Sequence, residues 1–183
     1  VEPTWMDPTS LPPIAFAAPE SEPLPHPDRF GAVTNVSGLI RPDGGLWCAP
    51  VTAGSADGAV TRTAWTDWLA NSDDPTGQPS IWAGDYTRFT TVEPLPESRI
   101  CLIDTADDLG RLVAAFPRPE VHPVGDNAPD WEAMAAAGWD AVYVSAAGIA
   151  ANEERHPMTG PSLARWDCSS VLWLRPADRL SPA

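Results

Sequence analysis

Two stretches of this chain carry residue types that could hold a ligand or do chemistry. The first is Arg41-Pro42-Asp43-Gly44-Gly45-Leu46-Trp47-Cys48-Ala49-Pro50, in which a cation, glycine turn chemistry and an indole ring fall within ten residues. The second is Arg165-Trp166-Asp167-Cys168-Ser169-Ser170-Val171-Leu172-Trp173-Leu174, with a carboxylate, a thiol and two hydroxyls ahead of an apolar run. Common catalytic signatures are absent: there is no G-x-S-x-G, no H-E-x-x-H, no phosphate-binding glycine loop and no dinucleotide fingerprint. The 11 basic side chains are all arginine, so Schiff-base and P-loop lysine chemistry is excluded. Cys48, Cys101 and Cys168 are too far apart for a Cys-x-x-Cys metal pair and read as buried apolar fillers. His26, His122 and His156 each precede a proline and read as loop residues rather than metal ligands. The acidic run Asp104-Thr105-Ala106-Asp107-Asp108 fits a helix start better than a cation site. Glu153 and Glu154 beside Arg155 and His156 put acids and bases in one loop-like stretch, where function is often carried.

The elements that would position these groups follow from periodicity and turn chemistry. Residues 1–28 hold eight of the 22 prolines, a density that argues against helix and central strand and predicts an extended arm. Its apolar residues Trp5, Met6, Leu11, Ile14 and Phe16 suit packing, either along the chain's own domain or on a partner subunit in an assembly. Residues 29–176 read as a single α+β domain and 177–183 as a short tail. Within the domain, Arg29–Val36 predicts a strand, and Leu46-Trp47-Cys48 a second after the glycine turn. Ala64, Trp65, Trp68 and Leu69 share one helical face. Strands are expected over Tyr86–Val92 and Arg99–Ile103. A capping box at Thr105 and Asp108 opens a helix over Ala106–Phe116, and Asp130 and Gly138 bracket a helix over Trp131–Ala137. Strands at Ala141–Ser145 and Ser170–Leu174 flank a long loop, 146–165. The sum is a mainly antiparallel sheet with two or three short helices.

In the order of these features the chain resembles the small ADP-ribosyltransferase-like proteins of actinobacteria and their phages. The resemblance rests on Arg29-Phe30, on Gly45-Leu46-Trp47-Cys48 before the Trp65/Trp68 helix, on Asp140-Ala141-Val142-Tyr143-Val144, and on Trp166-Asp167-Cys168-Ser169-Ser170-Val171-Leu172-Trp173. It spans roughly residues 29–176 and implies an ADP-ribosyltransferase-like fold with NAD as substrate. By the same resemblance Arg29 or Arg41 would supply the cation for NAD, Trp47 a ring against the nicotinamide, and a carboxylate would stabilise the oxocarbenium-like ribosyl transition state. The family's glutamate, expected just before the last apolar strand, is replaced here by Ser169 and Ser170. The carboxylates left to act in its place are Asp167 and, from the preceding loop, Glu153 or Glu154.

Net charge constrains the partners. Twenty-five acidic against 11 basic residues leave −14, a field that repels phosphate backbones and makes nucleic acid an unlikely partner. No apolar run reaches the length of a membrane span, and residues 1–28 lack a basic start and apolar core, so a cytoplasmic protein is expected. The alternative to an enzyme is a non-catalytic structural or interaction protein, such as part of a phage particle, using residues 1–28 to bind a partner or to self-assemble.

Overall fold

The computed structural model describes residues 1–20, 30–36, 41–71, 86–118, 128–153, 161, 163, 166–176 and 180–182. Among these residues the chain forms an α+β fold of nine strands and four α-helices. The strands are β1 (Trp5–Met6), β2 (Ile14–Pro19), β3 (Leu46–Gly54), β4 (Val60–Thr63), β5 (Tyr86–Pro94), β6 (Ile100–Ile103), β7 (Ala141–Val144), β8 (Ser170–Trp173) and β9 (Leu180–Pro182). The helices are α1 (Ala64–Asn71), α2 (Ala106–Ala115), α3 (Trp131–Ala136) and α4 (Ala146–Glu153), with a short 3-10 turn at Pro8–Ser10.

One sheet runs in the order β1-β6-β7-β8-β3-β2-β5-β9, with β4 against β3. Every pairing is antiparallel except β6 with β7, where Ile100 aligns with Ala141 and Ile103 with Val144. That exception has a simple cause: α2 and α3 lie between the two strands in the chain and provide the long crossover a parallel pair requires. Alternation along the central strands sorts the core onto two faces. Val142, Val144, Leu172 and Leu174 meet Leu109, Leu112, Trp131 and Met134 from the helices. Ala141, Val171 and Trp173 point to the other face, where Ile14, Leu46, Val92 and Ile100 join them, with Met6, Leu11, Phe16 and Phe30 packed against the cluster. Buried Asp140 pins the start of β7, accepting from Arg175 Nη2 at 2.7 Å and from the Arg99 backbone N–H at 2.8 Å.

Several local expectations hold. Thr105 and Asp108 form a reciprocal capping box on α2. Asp130 caps α3 through the Ala133 N–H, and Gly138 follows it with φ +87°. Strands β5 to β8 lie within a residue or two of their expected bounds, and the expected face of Ala64, Trp65, Trp68 and Leu69 falls within α1.

Others are corrected. The proline-rich arm is not excluded from the sheet: β2 lies between β3 and β5, with Ile14 aligned to both Pro50 and Val92. Between Pro13 and Pro19 the chain has five residues free of proline, whose N–H groups can all donate, and Pro19 falls only at the last position of the strand. β1 likewise pairs with β6, so Met6, Leu11 and Phe16 pack on the chain's own domain. The strand expected from Arg29 is not regular over the described residues 30–36: an isolated bridge joins Thr34 to Asp43, and the Val33 N–H donates to the Leu174 carbonyl. The expected loop 146–165 begins instead with α4, so the described residues hold four α-helices rather than two or three. The tail contributes β9, paired with β5.

Candidate functional site

Gly44 and Gly45, at φ +70° and +66°, turn the chain into β3. A Cβ on Gly45 would sit 2.6 Å from the Trp173 carbonyl oxygen and 2.8 Å from Val33, so glycine alone lets this turn press against the end of β8. The turn sets Arg41 and Trp47 on either side of it. Because β3 and β8 are antiparallel neighbours, with Cys48 aligned to Val171, the residues leading into β8 arrive beside Cys48 and Ala49. The two stretches singled out by composition therefore meet.

They meet at a cleft of about 240 Å³. Ala15 and Ala17 from β2 and Ala49 from β3 line it, and these small side chains leave its space open. Trp47, Trp166 and Arg41 line it from one group of segments, and Phe16, Trp65 from α1 and Tyr86 from β5 from another; Asp167, Cys168 and Ser170 complete it. The Arg41 guanidinium carbon lies 4.3 Å from the centroid of the Trp47 ring. Trp166 abuts Trp47 at 4.7 Å and 66°, and stacks in turn on buried Trp131 at 5.8 Å and 23°. Trp65 is stacked on Trp68 at 5.1 Å, and Tyr86 stands at 88° to it with centroids 6.3 Å apart.

The charges in the cleft are few. Arg41 is half-buried and has no ion pair with a carboxylate among the described residues, whereas Arg62 and Arg175 are paired with Asp67 and Asp140. Asp167 is exposed. The Cys168 thiol is pushed up to about 11, first by burial and then by the Asp167 charge, with the Ser170 hydrogen bond and Arg41 pulling the other way. It is therefore protonated at neutral pH and a poor nucleophile. Cys48, fully buried in the cleft's floor, is pushed up further by desolvation alone. Ser169 Oγ donates to the Val144 carbonyl at 2.9 Å, and Ser170 Oγ to the Cys168 carbonyl at 2.8 Å.

Of the residues marked in the sequence, Arg41, Trp47 and Asp167 line this one cleft. Arg29 and Glu154 lie outside the described residues, and of Glu153 only the backbone, closing α4, is described. The sequence marks Trp65 only as part of a helical face, Cys168 as an apolar filler and Trp166 only as part of the second stretch, and gives no sign that Phe16 and Tyr86 line the same cleft. No local motif could have joined them, since β2, α1, β5 and the approach to β8 are far apart in the chain. Among the described residues no group of three or more His, Cys, Asp or Glu is placed to hold a metal, and no helix is long and apolar enough to cross a membrane. No family model, curated protein or solved structure matches the chain.

Proposed function

We propose that the chain is an ADP-ribosyltransferase-like protein whose cleft takes the nicotinamide-ribose end of NAD and transfers ADP-ribose to water or a macromolecule. The observation that supports this most is that Arg41, Trp47 and Asp167, drawn from two distant segments, line one cleft. Its volume of about 240 Å³ lies just below the ~300 Å³ from which pockets for drug-sized ligands begin, which suits one half of a dinucleotide rather than the whole. Arg41, with no ion pair among the described residues, has charge to offer a phosphate.

In this reading the bond between ribose C1′ and the pyridinium nitrogen breaks, and its electron pair neutralises the departing nicotinamide. Asp167 stabilises the positive charge left on the ribosyl group. An oxygen nucleophile then bonds to C1′ and gives up its proton to Asp167 or solvent. Chromatography of NAD incubated with the protein tests this: nicotinamide accumulates, Asp167→Asn slows release by about 10²-fold, and Arg41→Ala raises KM. Absence of both binding and cleavage at saturating NAD contradicts it.

A second reading is favoured by Ser170. Standing where the resemblance expects a glutamate, it cannot carry charge, and its hydroxyl is committed to the Cys168 carbonyl. A non-catalytic interaction or structural protein, for instance an assembly component of a phage, then retains the cleft without turnover. Its partner contact would fall in the N-terminal segment, where Trp5 is 58% exposed. Binding of NAD with no nicotinamide release, and no change on Asp167→Asn, favours this second reading.

A further inference from the structure

A ring used for stacking needs a face open to the cleft, and the two ring neighbours of Trp47, Arg41 and Trp166, both line the cleft. Arg41 lies 4.3 Å over it and Trp166 abuts it at 4.7 Å. Trp65 and Tyr86 offer something different. Both line the cleft and stand at 88° to each other, while Trp68 backs Trp65 from outside the lining. Two perpendicular rings make a corner in which a flat ring stacks on one wall and presents its edge to the other, the two favourable aromatic geometries.

A guanidinium resting on an indole has a different consequence. Its position is fixed by the ring beneath it, while the N–H groups around its edge remain free for two parallel hydrogen bonds to an oxyanion. We propose that Trp47 is a positioning residue that holds Arg41 for an oxyanion, and that the Trp65–Tyr86 corner is where the ligand's aromatic ring lies. The ligand class is an aromatic ring joined to a phosphate-like oxyanion, a mononucleotide or one half of a dinucleotide. Only the choice of NAD among the probes rests on the function proposed above; the division of labour within the cleft does not.

Calorimetric titration with NAD, nicotinamide mononucleotide and AMP tests this on the wild type and on Arg41→Ala, Trp47→Leu, their double variant, Trp65→Ala and Trp65→Phe, each checked for folding by thermal melting. If Trp47 acts through Arg41, either single substitution weakens binding by about 10-fold and removes its salt dependence. The double variant is then no weaker than Arg41→Ala. Trp65→Ala weakens binding by about a further 10-fold, independently of Arg41, and Trp65→Phe restores most of it. Should Trp47→Leu fail to fold, Trp47→Phe completes the same cycle. Losses that multiply in the Arg41/Trp47 double variant, or an unchanged affinity in Trp65→Ala, overturn the inference and leave the NAD reading standing. The expected pattern with AMP or the mononucleotide, but no NAD binding, upholds the inference and removes the NAD reading. No binding of any of the three probes removes both.

Discussion

Cys168 reports on the charges of the cleft because it feels both of them. Its thiol stands at about 11 against an ordinary 9.0: burial and then the Asp167 charge raise it, while the Ser170 hydrogen bond and Arg41 offset part of that rise. Alkylation of Cys168 by iodoacetamide should therefore be slow at pH 7.5 and increase up to about pH 11. Asp167→Asn should move that profile to lower pH and Arg41→Ala to higher pH. Mass-spectrometric rates across this range check both directions. A wild-type profile centred on 9.0, or one that neither substitution moves, contradicts the charge arrangement described for the cleft.

At the scale of elements, the N-terminal segment and α2 are tied together. Thr4 Oγ1 donates to Asp108 at 2.5 Å, while Asp108 also accepts from the Thr105 hydroxyl and from the backbone N–H groups of Asp104 and Thr105. Desolvation works to raise the Asp108 pKa, but these hydrogen bonds together outweigh it and hold the carboxyl below its ordinary 3.8. A depressed carboxyl contributes stability above its unfolded value, and that contribution disappears as pH falls through the folded one. Thr105→Ala should cost about 1 kcal/mol at pH 7. The stability gap between wild type and Asp108→Asn should close as pH falls below 3.8; a gap unchanged from pH 7 to pH 3 contradicts the network. Deleting residues 1–20 removes β1 and the central strand β2, so the truncated chain should lose cooperative melting; an intact melt would restore the picture of a dispensable arm. These two cases also mark what was legible. The α2 box and the Asp130 cap are local, with donor and acceptor three residues apart, and could be read directly. Strand β2 could not, because its partners lie about 35 and about 67 to 78 residues away and the prolines around it dominate any local count. Helix α4 could not either: Ala-Ala-Gly-Ile-Ala-Ala-Asn-Glu has no contrast between faces for periodicity to find.

For the whole molecule, the buried thiols set a limit on the alkaline side. Cys48 and Cys101 are raised from 9.0 chiefly by desolvation, Cys101 to about 12, so the unfolded chain releases protons that the folded chain retains. Their contribution to stability is complete below 9.0 and is lost as pH rises beyond it, by ~1.4 kcal/mol per thiol for the first unit. Thermal melting from pH 8 to pH 10.5 should therefore show a decline that Cys48→Ala and Cys101→Ala flatten, and equal slopes would contradict it. On the other side of the charge balance, a chain at −14 that leaves Arg41 without an ion pair among the described residues has placed a cation where an anion can use it. That much of the site could be read from two short segments. The corner of Trp65 and Tyr86 depended on long-range assembly. Calorimetric titration of NAD into the wild type and Arg41→Ala is the most direct test. Saturable one-to-one binding that weakens with salt and falls by about 10-fold in the variant is expected; no binding by the wild type, or equal affinity in both proteins, contradicts the assignment of this cleft to NAD.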